Sequence, residues 1–158
     1  MELSILVMNC LKRYWIIFKD YFRRIYSRIE SSPVIPSENI ARFVMSSNYY
    51  SVSKRIVKPG AFLPKDSERQ ISVYRIYNLT EYEIWKIGEE KVAKPGRRNL
   101  HGRADIIAKI ALDQGLRIVP DNRRDRHANV TDWPEEKSKR LQIAQELAKK
   151  ALLTIKSD

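Results

Sequence analysis

The chain contains few of the residues that build metal centres and disulfide frameworks. Its 158 residues include one cysteine and two histidines. A single cysteine excludes an intramolecular disulfide and a CxxC metal motif, and two histidines supply too few further ligands for a typical structural zinc site. Such cysteine usage is typical of a reducing compartment. We therefore expect no metal, no cofactor and a cytoplasmic location.

Long apolar runs and familiar enzyme motifs are also missing. The uncharged run at residues 3–11 is too short to span a bilayer, and Glu2 stands where a secretory signal carries positive charge, so we expect no signal peptide. The sequence has no phosphate loop, no GxGxxG and no GxSxG. No compact carboxylate cluster of the kind used by two-metal nucleases is visible, which disfavours metal-dependent phosphodiester cleavage.

Acidic residues are scarce relative to basic ones. Lysine and arginine total 30 against 19 aspartates and glutamates, which gives a formal net charge of +11. The excess is spread along the chain, and residues 91–103 contain no carboxylate at all. This balance favours partners rich in phosphate or anionic lipid headgroups. A lysine-rich solubility surface is the alternative.

Residues 3–29 predict an amphipathic helix, because apolar side chains recur at spacings of three and four opposite a basic face. Three roles are open for it. It could pack on the domain core, mediate self-association or binding of a partner protein, or lie on a membrane surface, which would make the protein peripheral to a membrane. Residues 31–39, with two prolines, predict a linker.

Residues 40–158 predict one basic α+β domain, since this length can fold around a single core. We expect a small mixed sheet with strands near 40–46, 71–77 and 116–119, packed with helices near 80–91, 104–114 and 134–155. Thr80 and Glu83 predict a capping box for the first of these helices, and a second box is predicted to begin at Asp132. Gly115 predicts the end of the middle helix.

Six short segments carry a resemblance to other proteins. They are RFVMSS (42–47), VKPGAFLP (57–64), ISVYRI (71–76), EIWKIG (83–88), GRADI (102–106) and RHANVTDWP (126–134). From Ile40 onward the chain resembles a family of small uncharacterised bacterial proteins. The resemblance leaves out the N-terminal helix. It implies a bacterial, cytosolic protein and brings no activity with it.

Residues 117–134 have the composition of an anion-binding surface. They are rich in arginine, whose planar guanidinium matches phosphate oxygens. If residues 126–131 are extended, then His127, Asn129 and Thr131 share one face, beside Arg126. An imidazole suits proton transfer near neutral pH. The alternative is that His127 and Asn129 hydrogen-bond the backbone of a long loop.

Arg75 shares a predicted strand face with apolar residues, so it should be buried and needs either a carboxylate or a bound anion. The expected carboxylates are Glu81, Glu83 and Asp105. His101 and Arg103 flank Gly102 ahead of the predicted 104–114 helix, where backbone amides could hold an anion. An exposed basic loop with Arg103 paired to Asp105 is the alternative there.

Lys54, Arg55 and Lys58 lie between the aromatic residues Tyr49 and Phe62. Basic side chains interleaved with rings suit a nucleic-acid strand, because the rings stack on bases while the cations contact phosphates. Tyrosines packed under lysine stems are the alternative.

Three functions follow from these patterns. The first is a nucleic-acid-associated binding domain. Its predicted binding residues are Lys54, Arg55, Lys58, Arg97, Arg98, His101, Arg103, Arg123, Arg124 and Asn129. The second is a small metal-independent enzyme of a toxin or defence type, acting on a phosphorylated or nucleotide substrate with His127, Arg126 and Arg75 as catalytic residues. The third is an interaction or membrane-surface protein that acts through residues 3–29.

Overall fold

The computed structural model describes residues 32–94, 98–121 and 123–156, so the predicted helix over residues 3–29 lies outside the described residues. The strands are β1 (Asn39–Val44), β2 (Tyr50–Ser51), β3 (Ile56–Val57), β4 (Ile71–Arg75), β5 (Gly102–Ile107), β6 (Arg117–Pro120), β7 (His127–Thr131) and β8 (Leu152–Ile155). The helices are α1 (Glu81–Ile87), a π-helix (Gly88–Ala93), α2 (Ala108–Leu112) and α3 (Lys137–Lys150), with 3-10 turns at Ser47–Tyr49 and Pro59–Ala61. Within these ranges, no helix combines the length and apolar character needed to cross a bilayer.

Six strands form one sheet in the order β6-β7-β4-β1-β5-β8, and each neighbouring pair is antiparallel. Strands β2 and β3 form a separate hairpin. The predicted α+β class is therefore confirmed for the described part of the chain. The three predicted strands correspond to β1, β4 and β6, and the sheet is larger than predicted.

The sheet buries both of its faces in part. Because successive residues of a strand point to opposite faces, Ile40 and Val44 join one core cluster while Ala41 and Phe43 join another. The first cluster also contains Leu147 of α3. The second contains apolar residues of α1, which thus covers part of the opposite face and leaves room beside it.

Helix α1 begins as the sequence predicts. The Thr80 side chain accepts from the Glu83 amide, and the Glu83 carboxylate accepts from the Thr80 amide at 2.8 Å. The helix continues into the π-helix at Gly88. A Cβ there would lie 2.6 Å from a ring carbon of Phe43, so glycine lets this turn approach the sheet closely.

The helix predicted near 104–114 is wrong over its first half. Gly102–Ile107 is strand β5, and only Ala108–Leu112 is helical. Ala104 and Ile106 face the core in alternation, and β5 pairs with β1 on one side and β8 on the other. Pairing on both sides outweighs the local helical pattern. Gly115, at φ 78°, follows the helix as predicted.

The last predicted helix is too long at both ends. Helix α3 covers Lys137–Lys150, and the residues after it turn into the edge strand β8, which pairs with β5. The second predicted capping box is also wrong. The N-cap is Glu136 without a side-chain cap, and Asp132 instead adopts a left-handed backbone with φ 65°.

Arg75 is buried, as its strand face predicts, but its partner is none of the expected carboxylates. Its Nε and Nη2 donate to the two carboxylate oxygens of Glu38 at 2.6 and 2.9 Å, and both side chains are about one-twentieth exposed. Glu38 belongs to the predicted linker, immediately before β1. The pair therefore anchors the entry of the chain into the sheet.

Replacing Glu38 by alanine should lower the free energy of unfolding by about 3–5 kcal/mol, because it leaves a buried guanidinium without its carboxylate. Glu135→Ala is the matched control. It breaks the exposed Arg69–Glu135 pair, a single contact of 2.9 Å, which should cost less than about 1 kcal/mol. Urea unfolding followed by circular dichroism measures both. Equal losses would contradict the anchoring role of Glu38.

Candidate functional site

A cavity of about 390 Å³ lies where the pairing of β1 with β4 stops. The two strands pair at Ile40–Arg75 and Ala41–Tyr74, whereas β1 pairs with β5 along its full length. We call this space the cationic cavity. Its charged lining residues are Arg42, Lys65, Glu68, Lys91, Lys94, Arg98 and Arg124. Six cations thus face one carboxylate.

Arg42 spans the gap between the two strands. Its Nη1 donates to the carbonyl of Ser72 at 2.8 Å, and its Nε donates to the carbonyl of Ala61 at 3.1 Å. The side chain is partly buried, and burial lowers its pKa, although Tyr49 and Glu68 act in the opposite direction. An arginine remains charged under these conditions. Arg42 therefore holds a positive charge at a fixed place in the cavity.

The other five cations are exposed and surround Arg42; we call them the rim cations, namely Lys65, Lys91, Lys94, Arg98 and Arg124. Lys65 lies 3.5 Å from Glu68, and Lys91 lies 3.2 Å from Asp125. The other three form no ion pair with a carboxylate among the described residues. The rim therefore carries positive charge that neighbouring side chains leave uncompensated.

The π-helix brings two rim cations to the cavity. Wide π turns are uncommon and are often found at functional sites. Lys91 lies within this turn, and Lys94 follows it with a left-handed backbone at φ 55°, its amide donating to the Glu89 carbonyl at 3.1 Å. A non-glycine residue in this conformation carries strain that the surrounding contacts must offset.

Asp121 organises the loop that carries Arg124. Its Oδ1 accepts from the Arg123 amide at 3.1 Å, and its Oδ2 lies 3.2 Å from Nδ1 of His127. The Arg124 amide donates to the Asp121 carbonyl at 3.0 Å. The amide of Arg123 is the largest cause of a lowered pKa at Asp121, which keeps this carboxylate ionised. One acidic side chain thus closes both ends of an arginine-rich loop.

His127 lines the cavity from strand β7 and is nearly fully buried. Its ring packs edge-on against Tyr74 at 5.2 Å between centroids. Since Nδ1 faces Asp121, Nε2 is the remaining ring nitrogen, and it is buried without a hydrogen-bond partner among the described residues. Burial lowers the pKa of His127, so the ring is neutral at neutral pH; Asp121 opposes this shift and Arg124 adds to it.

Aromatic residues complete the cavity lining. Tyr49 is more than one-third exposed, and its ring lies against Gly60, where an added Cβ would meet ring carbons at 3.1 Å. Phe43 and Tyr74 contact one another edge-on at 5.6 Å. The cavity therefore combines cations with ring surfaces, and one ring is open to a ligand.

Two predicted site arginines hold structural contacts. Arg75 lies on the opposite face of its strand from Tyr74, in the ion pair with Glu38. Arg126 adopts φ 59° and donates to the carbonyl of Tyr77 at 2.9 Å. Neither lines the cationic cavity.

Arg103 is also engaged by protein groups. It lies in strand β5 rather than at a helix start, which corrects that expectation. Its guanidinium donates to Glu81 at 2.7 and 2.8 Å and to Asp105 at 2.9 Å, and it stacks over Trp85 at 5.0 Å. The expected pairing with Asp105 is thus present in a buried strand position.

The remaining predicted residues fall into different places. His101 lies 3.3 Å from the Tyr50 hydroxyl in a separate cavity, whose lining Arg98 shares. Asn129 is on the same strand face as His127, as predicted, but outside the lining. Arg123 lines a neighbouring cavity with Arg124. The exposed residues Lys54 and Arg55 lie between β2 and β3, the exposed Lys58 directly follows β3, and Arg97 lies outside the described residues.

The predicted site residues include Arg98, Arg124 and His127 of the cavity lining but not Arg42, Lys65, Lys91 or Lys94, and the sequence did not indicate the organising role of Asp121. The carboxylate-free stretch at residues 91–103 was a usable signal, since Lys91, Lys94 and Arg98 all come from it. Arg42 offered a weaker one, as a lone cation within the apolar strand β1.

The cavity chemistry is suited to holding an anion. Within the described residues, no group of three or more His, Cys, Asp or Glu side chains could hold a metal ion. The cations supply donors for phosphate or carboxylate oxygens, and His127 supplies a neutral imidazole. Comparison with protein-family models, curated proteins and solved structures finds no match to this chain. The resemblance to a bacterial family therefore stays a prediction.

His127 should make the free energy of unfolding depend on pH. Its folded pKa lies below the ordinary value of 6.5, so the unfolded chain binds more protons. The contribution to stability is complete above pH 6.5 and is lost as the pH falls through the folded pKa. NMR titration of the ring should give a midpoint below 6.5. Asp121→Asn should lower that midpoint further, because the carboxylate opposes the shift; a rise would contradict the assignment.

Proposed function

We propose that this protein binds nucleic acid by holding its phosphates in the cationic cavity. The observation that carries the proposal is the group of rim cations without carboxylate partners, Lys94, Arg98 and Arg124, around a concave space. Surface cations that serve only solubility do not need to converge on a cavity. Phosphate oxygens would compensate the positive charge of these cations, which no carboxylate of the described residues pairs with.

The aromatic lining favours a single strand over a duplex. The ring of Tyr49 is partly exposed at the cavity, where a base can stack on it. Stacking requires bases that are not already paired, and a cavity of about 390 Å³ has no room for a double helix. Cations beside an accessible ring are the combination expected for single-stranded nucleic acid.

Neutralising two rim cations should weaken binding and reduce its salt dependence. The variant Arg98→Gln/Arg124→Gln removes two charges from the cavity without changing the described ion pairs. The affinity for a fluorescein-labelled single-stranded oligonucleotide should fall. The slope of log affinity against log salt should become shallower by about 0.7 per lost phosphate contact. Fluorescence anisotropy at several salt concentrations measures both quantities.

Lys149→Gln/Lys150→Gln is the matched control, because it changes net charge equally at the end of α3, outside the cavity lining. It should leave the affinity nearly unchanged. An equal loss in both double variants would show that binding follows net charge rather than the cavity. Absence of binding by the wild type at low salt would refute the proposal.

Catalysis at His127 is a second candidate function. The observation that favours it is the Asp121–His127 contact, which orients a neutral imidazole beside a cationic cavity. A neutral ring can accept a proton, and cations nearby can stabilise negative charge that develops on a phosphate. Because Nε2 is buried, the surrounding side chains would have to move when a substrate enters.

His127→Asn separates this candidate from simple binding. If His127 acts as a general base, the variant should lose at least about 100-fold of any phosphodiester-cleaving activity while keeping its affinity for the oligonucleotide. Incubation with end-labelled RNA in the presence of a chelator, followed by gel electrophoresis, measures cleavage. Equal cleavage by both proteins, or none by the wild type, would remove this candidate.

A role for residues 3–29 in partner or membrane binding stays a prediction outside the described residues.

A further inference from the structure

The six cations of the cationic cavity lie at two depths. The rim cations are exposed, whereas Arg42 is partly buried between the ends of β1 and β4. Two backbone carbonyls, those of Ala61 and Ser72, fix its guanidinium. A phosphate that reaches Arg42 must therefore enter the cavity, while one that meets only the rim can stay at the surface.

Arg42 differs from the buried arginines of the domain. Those arginines each pair with a carboxylate: Arg75 with Glu38, Arg103 with Glu81 and Asp105, and Arg140 with Asp66. Arg42 donates to neutral carbonyls, and no carboxylate of the described residues lies within ion-pair distance of it. A cation that is even partly removed from water loses hydration, and a nearby anion would offset that cost. Its surroundings thus leave a place for an anion from outside the chain.

The size of the cavity limits the size of the ligand that can carry this anionic group. Grooves that follow a single strand hold about 4–16 nucleotides. Ligand cavities begin at about 300 Å³, so a space of about 390 Å³ suits a ligand of the size of one nucleotide. A phosphate inside a strand carries a sugar on each side, which hinders its entry. A terminal phosphate has one open side.

The charge of the ligand also favours a terminal phosphate over a phosphate within the strand. A phosphate monoester carries about −1.5 to −2 at pH 7, with three terminal oxygens available as acceptors, whereas a diester carries a single negative charge. Arg42 and the rim cations together offer more positive charge than one diester can balance. The monoester is therefore the better electrostatic match.

We propose that the cationic cavity recognises a terminal phosphate monoester, with Arg42 contacting the phosphate and the rim cations contacting the flanking groups. This inference rests on the proposed function and narrows it to the end of a strand or a free nucleotide. Tyr49 is placed to stack on the base of the terminal nucleotide. Arg42 is then a specificity-determining residue.

The test compares ligands on the unmodified chain of 158 residues. Four probes are used. Three are single strands of one sequence, with a 5′-phosphate, with a 3′-phosphate or with hydroxyls at both ends. The fourth is the nucleoside monophosphate alone. A competition assay against a labelled strand gives their affinities. One phosphorylated end should bind at least about tenfold more tightly than the hydroxyl strand, as expected for charge-assisted hydrogen bonds.

Two variants place the effect at Arg42. Arg42→Gln should remove the preference for the phosphorylated end, so that the variant binds both strands with one affinity, because only the rim cations then remain to contact either strand. Arg42→Lys keeps the charge and should retain part of the preference. Lys65→Gln, a rim change, should weaken both strands alike. Circular dichroism establishes that each variant is folded, and the ligand comparison on wild type stands without them.

The outcomes separate this inference from the proposed function. Equal binding of the phosphorylated and hydroxyl strands overturns recognition of the terminal phosphate and leaves nucleic-acid binding intact. No binding of any strand, with tight binding of the nucleoside monophosphate, keeps the monoester site and removes nucleic acid as its source. No binding of any probe overturns both. A preference that survives in Arg42→Gln overturns the role of Arg42.

Discussion

The early end of pairing between β1 and β4 is the constraint on which the cationic cavity depends. If the register of Ile40–Arg75 continued, Val44 would oppose Ile71, and backbone hydrogen bonds would close the space. Arg42 instead satisfies the carbonyls of Ser72 and Ala61 with its side chain. The Ser72 carbonyl of β4 therefore keeps a partner although the ladder stops. The Arg42 guanidinium thus both supplies a hydrogen-bond donor where β1 and β4 are unpaired and carries positive charge into the cavity.

Repulsion among the cations of the cavity lowers the stability of the unliganded fold. The rim cations and Arg42 contribute unequally to this repulsion. The rim cations are exposed, so water and salt screen their mutual repulsion within about 10 Å. Arg42 is partly buried, so water and salt screen its charge less. The same difference applies to a bound anion: contacts at the rim would set the rate of encounter and its salt dependence, whereas the contact with Arg42 would set which anions remain bound.

The sequence predicted those features that neighbouring residues decide. The capping box of Thr80 and Glu83 and the strand Ile71–Arg75 are local patterns, and both are present. Gly102–Ile107 was misread because its pairing partners lie far away in the chain. The site shows the same division. His127 stood out as a rare histidine among arginines, whereas Arg42 became a candidate only when folding brought it to the Arg124 loop.

Asp121 shows why basic composition alone does not make a site. Its carboxylate accepts from the Arg123 amide and contacts His127, so the loop between them has a defined shape. Without such a fixed acceptor, the mutual repulsion of neighbouring arginines would have no fixed contact to oppose it. Arg124 reaches the cavity because this loop is held at Asp121 and at the start of β7. An anion that bound there would therefore meet a cation whose backbone is already held and would not have to order this part of the loop, which favours tight binding.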